Sequence, residues 1–113
     1  MQMITGTMPL DGLKKMAADR FGDLVKAVVD VDREIVAVDA ELHADLEAYL
    51  LQEGSSQEHL WGINLYPEVP GDDWIEFDSM INIRPGRGNR SRGVEDGALR
   101  NRLIRIVNER IPR

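Results

Sequence analysis

The sequence predicts one α+β domain over residues 1–113, with elements in the order α-β-β-α-β-β-α and a four-stranded antiparallel sheet. Three segments carry apolar residues at helical spacing, and two pairs of short segments between them are rich in β-branched residues or alternate in polarity. Turn residues separate these segments. Because the longest strand candidate has one polar face, we expect the helices to pack mainly on the other face of the sheet.

The first elements are a helix and a hairpin. Apolar residues recur at spacings of three and four from Leu10 to Phe21, and Gly22 is a typical helix stop. Residues 25–31 and 34–38 are dominated by valine, isoleucine and alanine and lie close together in the chain. They predict two strands joined by a short turn.

The remaining elements follow the same logic. Asp39 is a candidate N-cap for a second helix over residues 40–53. Residues 60–66 and 74–84 alternate between apolar and polar side chains, which indicates a second pair of strands. The last apolar stripe, over residues 96–111, predicts the third helix.

Charge is distributed unevenly along the chain. The net charge is −6, and the first 83 residues contain 17 acidic and 5 basic side chains. From Arg84 onward there are nine arginines and three acids. The negative total disfavours nucleic acid and membrane surfaces as partners, because it repels phosphates.

Composition also bears on localisation. The chain has no cysteine, which excludes disulfides and thiolate metal sites and fits a reducing compartment. Its aliphatic runs are too short to span a membrane, and its first residues lack the pattern of a signal peptide. We therefore expect a soluble, cytoplasmic protein.

The segment Arg84-Pro-Gly-Arg-Gly-Asn-Arg-Ser-Arg-Gly93 is the main candidate site. Glycines let backbone amides approach an anion, and arginines donate bidentate hydrogen bonds to carboxylate or phosphate. The glycine spacing matches neither a dinucleotide-binding fingerprint nor a P-loop. The alternative is that the arginines pair with acids of the same chain, such as Glu76 and Asp78. The candidate anion- or partner-binding side chains are Arg84, Arg87, Asn89, Arg90, Ser91 and Arg92.

A second candidate is the polar face of the predicted second pair of strands, formed by Asn64, Glu76, Asp78 and Asn82. Two carboxylates at this spacing can share a proton or hold a divalent cation. A metal-dependent hydrolase or nuclease using Glu76, Asp78 and His43 is thus an alternative function. A solvated or salt-bridged face is the simpler interpretation. With two histidines and no complete catalytic motif, the sequence predicts no metal site, no cofactor and no catalytic residue.

Four stretches carry a family resemblance: Val25-Lys-Ala-Val-Val-Asp30, Asp39-Ala-Glu-Leu-His-Ala-Asp45, Leu60-Trp-Gly-Ile-Asn-Leu-Tyr-Pro67 and Asn89-Arg-Ser-Arg-Gly-Val-Glu-Asp96. In these, the chain resembles a small prokaryotic family known as a domain of unknown function. The resemblance implies a short, single-domain, intracellular protein. It implies no activity, cofactor or catalytic residue.

These observations favour a non-enzymatic binding or regulatory module whose arginine-rich loop contacts an anionic ligand or an acidic protein surface. A third interpretation is a homo-oligomer, in which the basic loop of one subunit meets the acidic surface of another.

Overall fold

The computed structural model describes residues 1–113 and places three α-helices on a five-stranded antiparallel sheet. The sheet order is β1-β3-β2-β4-β5, and all neighbours are antiparallel. The strands are β1 (Gln2–Ile4), β2 (Val25–Asp30), β3 (Ile35–Val38), β4 (Leu60–Leu65) and β5 (Ile75–Glu76). The helices are α1 (Leu10–Arg20), α2 (His43–Gln52) and α3 (Gly97–Arg110).

The predicted α+β class is confirmed, but the predicted four-stranded sheet is wrong by one strand. β1 pairs with β3 at the sheet edge, with Gln2 opposite Val38 and Ile4 opposite Val36. As a result, the element order begins with a strand rather than with a helix. A strand of three residues is too short to show alternation, and its pairing partner lies more than thirty residues away.

The predicted strand over residues 74–84 is wrong beyond Glu76. Only Ile75–Glu76 pairs with β4, and the chain then leaves the sheet edge to form a 3-10 turn at Met80–Asn82. Ser79 lies directly over Gly62, where a Cβ atom would approach the Ser79 side chain to 2.5 Å. The missing side chain of Gly62 therefore lets the segment cross the face of β4, which alternating polarity alone could not reveal.

Helices cover both faces of the sheet. α1 and α3 pack on the face that carries alternate residues of the central strands, such as Val29, Val36 and Ile63. α2 packs on the opposite face, where Leu46 and Leu50 meet the other set of strand residues. The expectation that the helices lie mainly on one face thus holds for two of the three. The polar face of β4 is covered by the crossing segment, not left open to solvent.

The start of α2 differs from its prediction. Asp39 does not cap the helix; its backbone has a φ of 74°, and its carboxylate accepts a hydrogen bond from Arg20 at 3.2 Å. The residue that precedes α2 is Leu42, whose side chain cannot accept a hydrogen bond. The first amides of α2 therefore have no side-chain cap.

Candidate functional site

Beyond its short pairing with β5, the edge of β4 is closed by side chains. The Asn82 amide is fully buried; it accepts a hydrogen bond from the Gly62 N–H at 2.8 Å and donates one to the Gly62 carbonyl at 2.9 Å. The same nitrogen also donates to the Arg92 carbonyl at 2.9 Å. One amide thus reproduces the pairing of a strand and connects the sheet edge to the arginine-rich loop.

Asn89 holds the loop together from inside. Its Nδ2 atom donates to the carbonyls of Asn82 at 2.7 Å and Gly93 at 2.9 Å, and its Oδ1 atom accepts from the Glu95 N–H at 2.9 Å. The backbones of Arg84 and Asn89 form an antiparallel bridge that closes the turn, in which Gly88 takes a φ of 84°. These contacts fix the loop backbone although most of its residues are exposed.

Arg84 is part of the interior rather than of the exposed loop. Its guanidinium group lies 4.7 Å from the centre of the Trp61 ring, donates a hydrogen bond to the Leu60 carbonyl and approaches Glu47 at 3.8 Å. Only 12% of the side chain is exposed, and Nη1 is buried without a partner. Burial lowers the pKa of Arg84, and the Glu47 carboxylate opposes this shift.

Glu95 occupies the amide groups that the glycine-rich loop offers to an anion. Its carboxylate accepts hydrogen bonds from the backbone N–H groups of Arg90 and Ser91, the second at 3.0 Å. These bonds lower the pKa of Glu95. The Ser91 hydroxyl accepts from the Gly93 N–H, and Asp96 caps α3. The loop backbone is therefore already bound to an anion of its own chain. We call the four residues Asn82, Arg84, Asn89 and Glu95 the loop frame.

Three arginines form what we call the arginine rim: Arg87, Arg90 and Arg92. Arg87 pairs with Glu58 at 3.1 Å, and Arg92 Nε donates to Asp78 at 2.6 Å. Arg90 has no side-chain partner and is exposed. Arg87 and Arg92 have 54% and 56% of their side chains exposed, and each makes one side-chain hydrogen bond. Because a guanidinium group carries several N–H donors, most donors of the rim remain free.

The arginines of the last helix contact the chain itself. Arg102 donates to the Val31 carbonyl at 2.6 Å, and Arg110 donates to the Glu34 carbonyl at 2.7 Å. Arg105 pairs with the Glu34 carboxylate at 3.0 Å, and this hydrogen bond lowers the pKa of Glu34. Arg102, Arg105 and Arg110 therefore fasten α3 to the turn between β2 and β3, whereas the arginine rim lies on the loop and keeps spare donors.

The structure brings three of the four predicted polar sheet residues together, namely Asn64, Glu76 and Asp78, whereas Asn82 binds Gly62. Asn64 donates to the Glu76 carboxylate at 2.9 Å and to the Asp78 carbonyl at 3.3 Å. Glu76 also accepts from the Tyr66 hydroxyl at 3.2 Å, while Asp78 pairs with Arg92. No three His, Asp or Glu side chains lie close enough to hold a metal ion together. Glu76 and Asp78 are therefore each bonded to side chains of the same chain.

Two cavities flank the ridge formed by Met80 and Ile81, and no sequence pattern indicated either of them. One, of about 350 Å³, is lined by Glu47, Gln57, Glu58, Ile83, Arg84 and Arg87 together with the ridge. The other, of about 220 Å³, is lined by Lys26, Leu42, His43, Ala44, Ser79 and Arg92 together with the ridge. In the second cavity the basic residues Lys26 and Arg92 come from segments far apart in sequence, which explains why the sequence did not group them.

The fold and the candidate site define a small α+β domain with an arginine rim on an internally braced loop. The chain belongs to the family described as protein of unknown function (DUF5674), whose model matches residues 2–110. This confirms the family resemblance in the sequence. No curated protein and no solved structure gave a significant match. None of the three helices is long and apolar enough to cross a membrane.

Proposed function

We propose that this protein is a non-enzymatic binding module of the cytoplasm, and that its arginine rim contacts an acidic surface of a partner protein. The observation that carries the proposal is the contrast within one loop between a backbone braced by hydrogen bonds and exposed guanidinium groups. Arg90 has no side-chain partner, and Arg87 and Arg92 each make one side-chain hydrogen bond. A braced backbone lowers the entropy cost of binding, because the loop does not have to be ordered when its arginines bind.

The contact surface is narrower than the candidate set from the sequence. Arg84 and Asn89 are left out because their side chains bind groups inside the protein. Ser91 is left out because its amide binds Glu95 and its hydroxyl binds Gly93. The surface ion pairs of Arg87 and Arg92 do not prevent partner contact, since each exposed pair is worth only about 0.2–1 kcal/mol.

A fluorescent oligoglutamate peptide tests the proposal by anisotropy at low salt. We expect the triple replacement Arg87→Ala, Arg90→Ala, Arg92→Ala to weaken binding by about tenfold or more, which corresponds to ~1.4 kcal/mol. The matched control is Lys14→Ala, Lys15→Ala, Arg20→Ala, which removes the same charge from α1. Equal weakening by both triples, or no binding of the peptide to the wild type, contradicts the proposal.

The partner can also be a second copy of this chain, because its remaining surface is acidic. Sedimentation velocity over a range of protein concentrations distinguishes the two sources. If the wild type self-associates, and if this association disappears in the triple variant of the arginine rim and in high salt, the acidic partner is a second copy of the chain. A monomer at all concentrations, combined with peptide binding, indicates a different protein.

A further inference from the structure

The cavity at the start of α2 combines two cations with a buried histidine. Lys26 has no carboxylate within ion-pair distance; Arg92 also lines the cavity, where its Nε pairs with Asp78 and its other N–H donors make no bond. His43 is buried, with a relative exposure of 8%. Its Nε2 atom lies 2.8 Å from the Ile63 carbonyl. In a protein of net charge −6, two basic side chains around one small cavity indicate an anion as its occupant.

The hydrogen bond of His43 determines what its other nitrogen can do. A carbonyl oxygen only accepts, so Nε2 must carry the proton, and in the neutral ring Nδ1 is an acceptor. Burial lowers the pKa of His43, and the neighbouring cations Lys26 and Arg92 act in the same direction, while the Ile63 carbonyl and Asp78 oppose them. Nδ1 has no hydrogen-bond partner in the chain, and it is not among the atoms sealed from solvent. His43, which lines the cavity, therefore keeps a free acceptor that is not sealed from solvent.

We propose that this cavity binds a small oxyanion that carries its own O–H donor, with Lys26 and Arg92 on the charge and His43 Nδ1 on the hydroxyl. Hydrogen phosphate and 2-hydroxycarboxylates share this chemistry. The uncapped first amides of α2 add partial positive charge at the same end of the cavity. The inference goes beyond the proposed function, because Arg92 is the only residue of the arginine rim that lines the cavity, and Lys26 and His43 lie outside the rim.

The discriminating experiment compares matched anions by ¹⁵N NMR of the two imidazole rings, with His59 as the internal control. Hydrogen phosphate is compared with sulfate, which has no O–H group at pH 7, and 2-hydroxypropanoate is compared with propanoate. We expect the hydroxyl-bearing member of at least one pair to bind about tenfold more tightly and to shift the His43 Nδ1 resonance saturably. Whichever pair shows the difference identifies the source of the anion.

Lys26→Gln removes one of the two cations of the site and should weaken anion binding by about tenfold. The control is Lys15→Gln, which replaces an exposed lysine on α1 and should leave anion binding unchanged. His43→Leu should remove the preference for the O–H group. If that variant does not fold, the wild-type comparison of phosphate with sulfate still decides. Equal affinities within both pairs, equal shifts of His43 and His59, or the absence of any saturable shift overturns the proposal.

Discussion

The loop frame and the arginine rim share one short segment of chain, yet they have opposite surroundings. The frame residues Asn82 and Asn89 are buried, and their amides bind backbone groups of the sheet and of the loop. The rim residues are exposed, with few bonds to the rest of the chain. The residue type of a polar side chain in this loop therefore does not determine its role. Its hydrogen-bond partners decide whether it stabilises the fold or remains available for binding.

The largest effect should come from Asn82→Ala. It leaves the Gly62 N–H and carbonyl without partners at a buried strand edge, at a cost of about 1–3 kcal/mol for each buried group. We expect the free energy of unfolding to fall by about 4 kcal/mol in urea denaturation. Asn101→Ala, at an exposed position of α3, is the control and should change it by less than about 0.5 kcal/mol. If Asn82→Ala and Asn101→Ala lose similar amounts of unfolding free energy, Asn82 stabilises the protein no more than an exposed asparagine does.

Gly62→Ala tests the close approach of Ser79 to β4 at Gly62. The new methyl group would meet the Ser79 side chain at 2.5 Å, so the crossing segment would have to move away from β4. Overpacking of this kind costs about 1–3 kcal/mol, and we expect the upper part of that range because the Asn82 bonds lie beside it. Gly86→Ala is the matched control, since no atom lies within 4 Å of its added Cβ. A Gly62→Ala variant as stable as the control would show that Ser79 does not press against β4.

Arg84 belongs to the loop frame and Arg90 to the arginine rim, so replacing each by alanine compares the two sets with the same residue type. Arg84→Ala removes the contact with Trp61 and the bond to the Leu60 carbonyl, and it leaves the partly buried Glu47 without its cation. We expect a loss of about 2 kcal/mol in unfolding free energy for Arg84→Ala and less than about 0.5 kcal/mol for Arg90→Ala. Peptide binding should show the reverse order. If Arg84→Ala is as stable as the wild type, the contacts of Arg84 do not stabilise the fold, and Arg84 belongs with the arginines available to a partner.

Sequence patterns predicted the elements whose stability is local and missed those that depend on distant partners. The periodicity of α1 and α3 and the β-branched segments of the β2–β3 hairpin were sufficient to place them. β1 and the end of β5 were not predictable in this way, because their limits are set by pairing with β3 and by the missing side chain of Gly62. A glycine within a strand is the one available signal, since it often marks a close approach of backbone.

The same limit applied to the candidate site. Clustering of arginines singled out the loop that carries the arginine rim. Asparagines in a turn are common for local reasons, however, and nothing in the sequence showed that Asn82 would bond to Gly62, twenty residues away. The apolar stripe over residues 96–111 did place the start of the last helix. It could not show that the preceding Glu95 folds back on the amides of Arg90 and Ser91.

Glu95→Gln should have the smallest effect, confined to the loop. The substitution keeps the shape of the acceptor but removes the charge that strengthens the bonds from the Arg90 and Ser91 amides. We expect hydrogen-exchange protection of these two amides to fall by about fivefold without a measurable change in global unfolding. The Gly88 amide, which bonds to the Pro85 carbonyl, is the control in the same loop.

Acid should reproduce the effect of Glu95→Gln in the wild type. The pKa of Glu95 is lowered in the folded protein, so its contribution is present above the ordinary glutamate value of about 4.3 and is lost as the pH falls through the folded pKa. The protection factors of the Arg90 and Ser91 amides should therefore decrease on acidification, and those in Glu95→Gln should not. If both proteins respond identically, the loop backbone does not depend on its internal anion, and its amides are open to an external one.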